Sequence, residues 1–556
     1  MIRIGNASGF YGDRLSAVHE MLVGGELDVL TGDYLAELTM LILGRQRLKD
    51  PAGGYAKTFL RQLDESLAIA AERRVKIVTN AGGLNPAGLA EAVRALAADR
   101  GIPVKVAHVE GDDLLPRAAE LGLDGALTAN AYLGAWGIAA CLDAGADVVV
   151  TGRVTDASLV VGPAAAHFGW GVSDFDALAG ATVAGHVIEC GTQATGGNYS
   201  FFTEIVDLDH AGFPIAEVFA DGSSVITKHP GTGGAVTRET VTAQMLYEIQ
   251  GPDYLGPDVT TRFDSVVLAD DGPDRVRISG VRGGPPPETV KVCVNTLAGF
   301  RNSATFVLCG LEVEAKADLV KRQLESAVGA DGLTWTLART DHVDADTEEA
   351  ASALLHATIK TPDPARAKAF SRATVELALA SYPGFTLTAP PADGSPVGVY
   401  RPEYVPRAAV EHVAVLPDGS RRGIPWSDGV PVPKRFVEAT SPGEFGVGRR
   451  VPLGTVLGAR SGDKGGDANL GVWVRRPEAF PWLLGFLTVD RVRELLPETA
   501  DLDIERHPFP NLGAVNFVVR GLLGQGVAAA TRFDPQAKAL GEWLRARYAE
   551  VPEEFL

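Results

Sequence analysis

Over residues 1–165, short apolar runs alternate with stretches in which apolar side chains return every three or four positions. Residues 27–30, 75–78, 104–107 and 147–150 read as buried strands, and 34–48, 57–73, 86–100 and 131–144 read as helices. Strand and helix in strict alternation predict crossover units and a mostly parallel sheet flanked by helices, an α/β architecture. Asn85 before Pro86 is a helix N-cap with proline at the first helical position.

The pattern changes after residue 180. A helical stretch at 181–195 is followed by Gly196-Gly197 and by short alternating runs at 203–206, 215–219, 224–228, 265–268, 275–279 and 291–294. Turn signals separate these runs, which predict an added mixed or antiparallel β layer over 196–310. Residues 306–378 return to mixed α/β character. Residues 383–446 are rich in Pro, Gly and Ser and read as a connector or extended arm. A last pattern follows: strands at 455–459, 470–474, 503–507 and 514–519, with helices at 479–484, 489–496 and 535–549. The expected organisation is an α/β domain over 1–382, a connector over 383–450 and a small α+β domain over 451–556.

Composition narrows the partners. The chain has 556 residues with 51 Lys and Arg against 70 Asp and Glu, a net charge of −19. That balance argues against a general nucleic-acid or anionic-membrane surface, since both need clustered cations. The most apolar stretch, 131–142, is too short to span a bilayer, and no signal peptide is evident at the N-terminus. Four separated cysteines (Cys141, Cys190, Cys293 and Cys309) form neither a disulfide framework nor a zinc site. A cytoplasmic protein with reduced thiols is the expectation.

In an open parallel sheet, ligands bind beyond the carboxyl ends of the strands. The loops predicted there combine small residues with polar ones: Asn6, Ser8 and Gly9 after the first strand, Asp33 after the second, and Asn80, Gly82 and Gly83 after the third. Glu110 and Asp112 follow the fourth strand, and Arg153 and Asp156 the fifth. Asn130 is a further substrate-binding candidate. The glycines do not match a dinucleotide fingerprint, and no P-loop is present. A second candidate region is 185–198. Its Glu189 suits acid–base work, and its Cys190 lies four residues after His186, a spacing that would let imidazole lower the thiol pKa on a continuous helix. Gly196, Gly197 and Asn198 close this stretch. Lys228, Gly231 and Gly233 could cradle a phosphate or carboxylate. Arg460, Ser461, Asp463, Lys464 and Asn469 belong to a polar glycine loop in the last domain. No metal-ligand motif appears; Glu110, Asp112 and Asp113 are the one weak group for Mg²⁺.

Taken in order, NASGFYGD (6–13), DYLAELT (33–39), NAGGLNP (80–86), VEGDDLL (109–115), ANAYLG (129–134), TGRVTD (151–156), ECGTQATGGN (189–198) and KHPGTGG (228–234) resemble the acyclic terpene utilisation (AtuA) family. SGDKGGDANLG (461–471) resembles its companion ferredoxin-like domain. Val154-Thr155 departs from the Cys-Val expected in the TGR loop, which weakens any mechanism resting on a cysteine there. The resemblance implies a role in breakdown of acyclic isoprenoids or branched acids through acyl-CoA thioesters. It does not supply the reaction. By elimination a hydro-lyase, a thioester hydrolase or a carbon–carbon lyase is expected, needing no cofactor beyond CoA as part of the substrate. Glu110, Asp112, Arg153, Asp156, Glu189 and Cys190 are the catalytic candidates, and the other loop residues named are the substrate-binding ones. The alternatives are a non-catalytic binding or assembly protein and a nucleotide-dependent acid ligase. A small acidic substrate and a homo-oligomer are the expected partners.

Overall fold

A computed structural model describes residues 1–432, 434–435 and 445–556. The alternating pattern becomes β1 (Ile2–Asn6), β2 (Val29–Gly32), β3 (Lys76–Thr79), β4 (Val106–Glu110), β5 (Thr128–Ala131) and β6 (Val148–Thr151), with helices such as Lys57–Arg73 and Pro86–Arg100 between them. In the main sheet β1, β2, β3, β6 and β4 lie side by side and parallel. Ile4, Val29, Val78 and Val149 face one buried layer, with Val183 and Val187 of the helix Phe175–Ile188. Leu30, Ile77, Val148 and Val150 face the other, with Leu63, Leu67 and Val93. Burial on both faces is why these strands are apolar without alternation. Asn85 caps its helix as expected, its Oδ1 accepting the Gly88 N–H at 2.9 Å.

Beyond β1 the sheet continues antiparallel through β7 (Pro214–Val218), β8 (Ser224–Lys228), Val276–Ser279 and Val267–Asp270. Three expected elements differ. Residues 203–206 are not a strand: Phe202–Glu204 is a 3₁₀ turn whose Glu204 carboxylate binds Arg475 at 2.7 and 2.8 Å. The helix expected at 181–195 stops at Ile188, and Gly191 at φ 61° turns the chain into a 3₁₀ segment, Gly191–Thr195. The helix expected at 535–549 is confined to Leu540–Ala546, since Ala537 at φ 51° lies in the left-handed region that ends helices. Within the stretch read as a connector, Ser395–Pro406, Val413–Val415 and Arg421–Gly423 are strands, and Val413–Val415 pairs with β4. Residues 433 and 436–444 of that stretch lie outside the described residues.

The chain divides into two units, one of residues 1–295, 400–527 and 534–556, the other of 296–399 and 528–533. In the second, residues 300–309 of the strand Thr289–Cys309 are followed by helix Val313–Val328, strands Leu333–Ala338 and Ser352–Thr361, helix Pro364–Glu376 and the short strand Thr386–Leu387. The sheet runs Leu333–Ala338, Ser352–Thr361, Thr289–Cys309, Thr386–Leu387, a split β-α-β arrangement around Phe306, Leu324, Leu355 and Phe370. The C-terminal part of the first unit is a small α+β layer. Its antiparallel sheet runs Leu457–Lys464, Asp467–Val474, Ala514–Val519, Ile504–Phe509 over a core including Leu470, Leu483 and Phe517. Among the described residues no helix is long and apolar enough to cross a membrane.

Candidate functional site

At the carboxyl end of β1, Asn6 donates from Nδ2 to the carbonyls of Ile188 and Glu189 at 2.7 and 2.9 Å. At the end of β3, Asn80 donates to Asp33 Oδ1 at 2.6 Å and accepts the Tyr34 N–H at 2.8 Å. Both asparagines are buried and committed to the protein, so they fix Glu189 and Asp33 rather than stand ready for a ligand. Ser8 accepts the Asp33 N–H at 2.9 Å. Gly9 admits the 185–198 segment, because a Cβ there would lie 2.5 Å from the Cys190 carbonyl carbon.

Arg153, after β6, is 2% exposed. Its Nη1 lies 2.8 Å from Asp156 Oδ1 and donates to the Leu35 carbonyl at 3.0 Å, while its guanidinium sits 4.2 Å from the centre of the Tyr132 ring. Tyr132 donates its hydroxyl to Glu37 Oε1 at 3.0 Å, and Lys291 Nζ approaches the same oxygen at 3.4 Å. Asp112 Oδ2 accepts the Arg153 backbone N–H and Asn130 Nδ2, both at 2.8 Å. Burial pushes the Asp112 carboxyl up to about 7. Read as a catalytic candidate in the sequence, Asp112 is a bracket holding the arginine loop.

The hairpin of Leu457–Lys464 and Asp467–Val474 brings a further set of side chains. Arg460 lies 4.2 Å from the centre of the Tyr247 ring and contacts Gln193 Oε1. Asn469 accepts the Glu248 N–H at 2.8 Å. A Cβ on Gly462 would come within 2.4 Å of the Tyr247 ring. Glu248 itself sits at φ 57°, a region that costs a non-glycine residue on the order of 1–3 kcal/mol.

These groups form one electrostatic system. Burial opposes ionisation of Glu37, but Lys291, Arg153 and Lys464 hold its carboxyl well below the usual range. Burial lowers the Lys464 ammonium, but Glu248, Glu37, Glu189 and Asp156 together carry it above its ordinary value. Burial and Asp156 raise Asp33 well above the carboxylate range. Burial, Asp156 and Glu248 do the same to Glu189, and burial with Glu248 and Glu37 takes Asp463 to about 8. Protonated and ionised carboxyls thus stand beside fixed cations. Arg153 Nε, Glu189 Oε2 and the Tyr400 hydroxyl are buried here without a hydrogen-bond partner, which suits a polar ligand.

Cys190 requires a correction. Because the helix ends at Ile188, His186 faces Glu189, with Nδ1 3.1 Å from Oε1, and not the thiol. Burial and the charges of Glu189, Glu248 and Asp33 push the Cys190 thiol well up, the opposite of activation. His186 is driven down to about 4, chiefly by burial, against the stacked rings of Tyr254 and Phe263. Glu110 stands apart: it binds His108 Nε2 and Arg421 Nη1, each at 2.8 Å, and Asp113 pairs with Arg47 at 3.1 Å. Lys228 spends its ammonium on the Thr232 carbonyl at 2.6 Å and Asp274 at 3.1 Å, within the loop holding Gly231 and Gly233. Gly82 packs on the Thr151 carbonyl and Gly83 takes φ 54° in the turn after β3. Gly196 (φ 110°), Gly197 and Asn198 (φ 59°) serve the turn after the 3₁₀ segment. Ser461 is held between the Lys538 carbonyl and the Gly541 N–H. Among the described residues, no three His, Cys, Asp or Glu side chains are grouped to hold a metal.

Glu37, Tyr132, Lys291 and Glu248 were not singled out by the sequence. Glu37 and Tyr132 lay inside the DYLAELT and ANAYLG stretches, and Lys291, half-buried, interrupts a valine run (Val290-Lys291-Val292). A family model described as acyclic terpene utilisation family protein AtuA matches residues 2–416, and one described as AtuA ferredoxin-like domain matches 451–549. Comparison with curated proteins and with solved structures found no match.

Proposed function

The chain belongs to the AtuA family of acyclic terpene utilisation, and from that premise we propose that it is a cofactor-independent acid–base enzyme of acyclic isoprenoid or branched-acid breakdown, a hydro-lyase acting on an acid or its CoA thioester. One observation carries this reading: Glu189 and Asp33, whose carboxyls burial and neighbouring charge push well up, stand beside Arg153 and Lys464 at the sheet's carboxyl end. Such a set donates a proton while a cation stabilises charge on a carboxylate or thioester oxygen. A thioester hydrolase built on Cys190 fits less well, because a nucleophilic thiol needs its pKa lowered. A nucleotide ligase using Lys228 and Lys464 together is disfavoured, since Lys228 is tied to Asp274 and Thr232.

The test is incubation of the full chain with branched 3-hydroxyacyl-CoA and 2-enoyl-CoA thioesters and the matching free acids, followed by mass spectrometry. Gain or loss of water is the expected outcome, at least 100-fold slower in Glu189→Gln, roughly the effect of removing a general acid. Thermal stabilisation by these compounds without turnover would support the binding-protein alternative instead.

A further inference from the structure

Resting on that acid–base reading, we propose that Glu248 is the catalytic base paired with the acid Glu189, and that Asn469 of the C-terminal hairpin is the positioning residue that holds it in place. Three observations point there. Glu248 occupies left-handed backbone, φ 57°, within a segment where no turn glycine was used. Its N–H is clamped by Asn469 Oδ1 at 2.8 Å, and Asn469 is itself fully buried and donates from Nδ2 to Asn516 Oδ1. Gly462 and Gly471 let the hairpin close onto Tyr247 and Leu246, where Cβ atoms would come within 2.4 and 2.5 Å. Strained backbone clamped by a neighbouring sheet is one way a side chain is held for a functional role. The unpartnered Glu189 Oε2 and Arg153 Nε supply the ligand-facing polar atoms.

The charges around Glu189 are the carboxyls of Asp156, Glu248 and Asp33, the cations Arg153 and Lys464, the His186 imidazole, the Tyr254 hydroxyl and the Cys190 thiol. Burial and the like charges of Asp156 and Glu248 push the Glu189 carboxyl up, which favours it as the proton donor. In the elimination direction, Glu248 takes the proton on the carbon next to the carbonyl, and the electron pair of that C–H bond forms the double bond. The C–O bond on the next carbon breaks, and Glu189 gives its proton to the departing hydroxyl, which leaves as water. Glu248 ends protonated and Glu189 ionised; no other reactant is consumed.

One readout needs no substrate. Iodoacetamide labelling of Cys190, quantified by peptide mass spectrometry between pH 7 and 10, reports the negative charge around the thiol. Glu248→Gln removes one charge and is expected to raise the labelling rate at pH 8 about threefold or more. Asn469→Ser, by releasing the clamp, is expected to move it in the same direction. Glu248→Gly relieves the backbone and is expected to melt no lower than the parent while labelling like Glu248→Gln. Unchanged labelling in all three variants, or a Glu248→Gly chain that melts well below the parent, would overturn the proposal. The second readout is exchange of the substrate's α-proton in deuterated buffer, with the thioesters used above. Glu189→Gln is expected to keep exchange and lose dehydration, whereas Glu248→Gln loses both. Glu248→Gln with full exchange would overturn the base assignment even if dehydration stands. If no thioester reacts, the acid–base reading fails, while the labelling still decides whether Asn469 holds Glu248 beside Glu189.

Discussion

Arg153 and Asp112 show how one loop separates a buried charged side chain from its support. The guanidinium bonds the Leu35 carbonyl, meets Asp156 and stacks on Tyr132. Lysine could reach Asp156 but cannot reproduce the fork and the stack. Arg153→Lys should therefore cost about 1–3 kcal/mol in denaturant melts and weaken binding of any anionic ligand; an unchanged melt would mean the arginine contributes nothing where it lies. Asp112 predicts a pH signature. Its carboxyl titrates near 3.9 in the unfolded chain and at about 7 when folded, so between those values the folded state holds a proton the unfolded state has lost. Stability from this group is thus present below pH 4 and lost as pH rises to 7, at up to about 1.4 kcal/mol per pH unit. Asp112→Asn, which still accepts through its amide oxygen, should remove that slope; parallel stability curves for the two proteins from pH 4 to 7 would count against it.

At the scale of elements, strand-end loops converge because neighbouring parallel strands end side by side. This much was readable: the sites of Asn6, Asp33, Asn80, Arg153 and Asp156 followed from apolar runs and the small residues after them. Glu248 was not readable, since its place depends on a left-handed backbone imposed by a hairpin more than two hundred positions later. The mistaken pairing of His186 with Cys190 came from extending a helix to residue 195, past its end at Ile188. The 300–390 arrangement was missed because its strands alternate on an exposed sheet and one is only two residues long. Close approach of elements also carries a prediction. Gly9→Ala puts a methyl group against Cys190 backbone, which cannot swing aside as a side chain can. A loss of about 1–3 kcal/mol is expected from chemical denaturation, with faster amide exchange over 186–198; a neutral substitution would show that this loop yields freely.

For the whole molecule, the second unit has its own core. Phe370 is fully buried within it, so Phe370→Ala should cost roughly 3–5 kcal/mol and accelerate amide exchange across 296–399, while leaving Cys190 labelling unchanged. Altered labelling would reveal coupling between that core and the charged site. The charged site draws on both matched stretches, Arg153 and Glu189 from 2–416 and Lys464 and Asn469 from 451–549. Covalent continuity between them therefore acts as a concentration term. A tether that lets the two parts meet presents one to the other at a raised effective concentration. Severed between the two stretches, the chain would become a bimolecular system whose assembly falls on dilution, and Cys190 labelling would then depend on how much protein is in the tube.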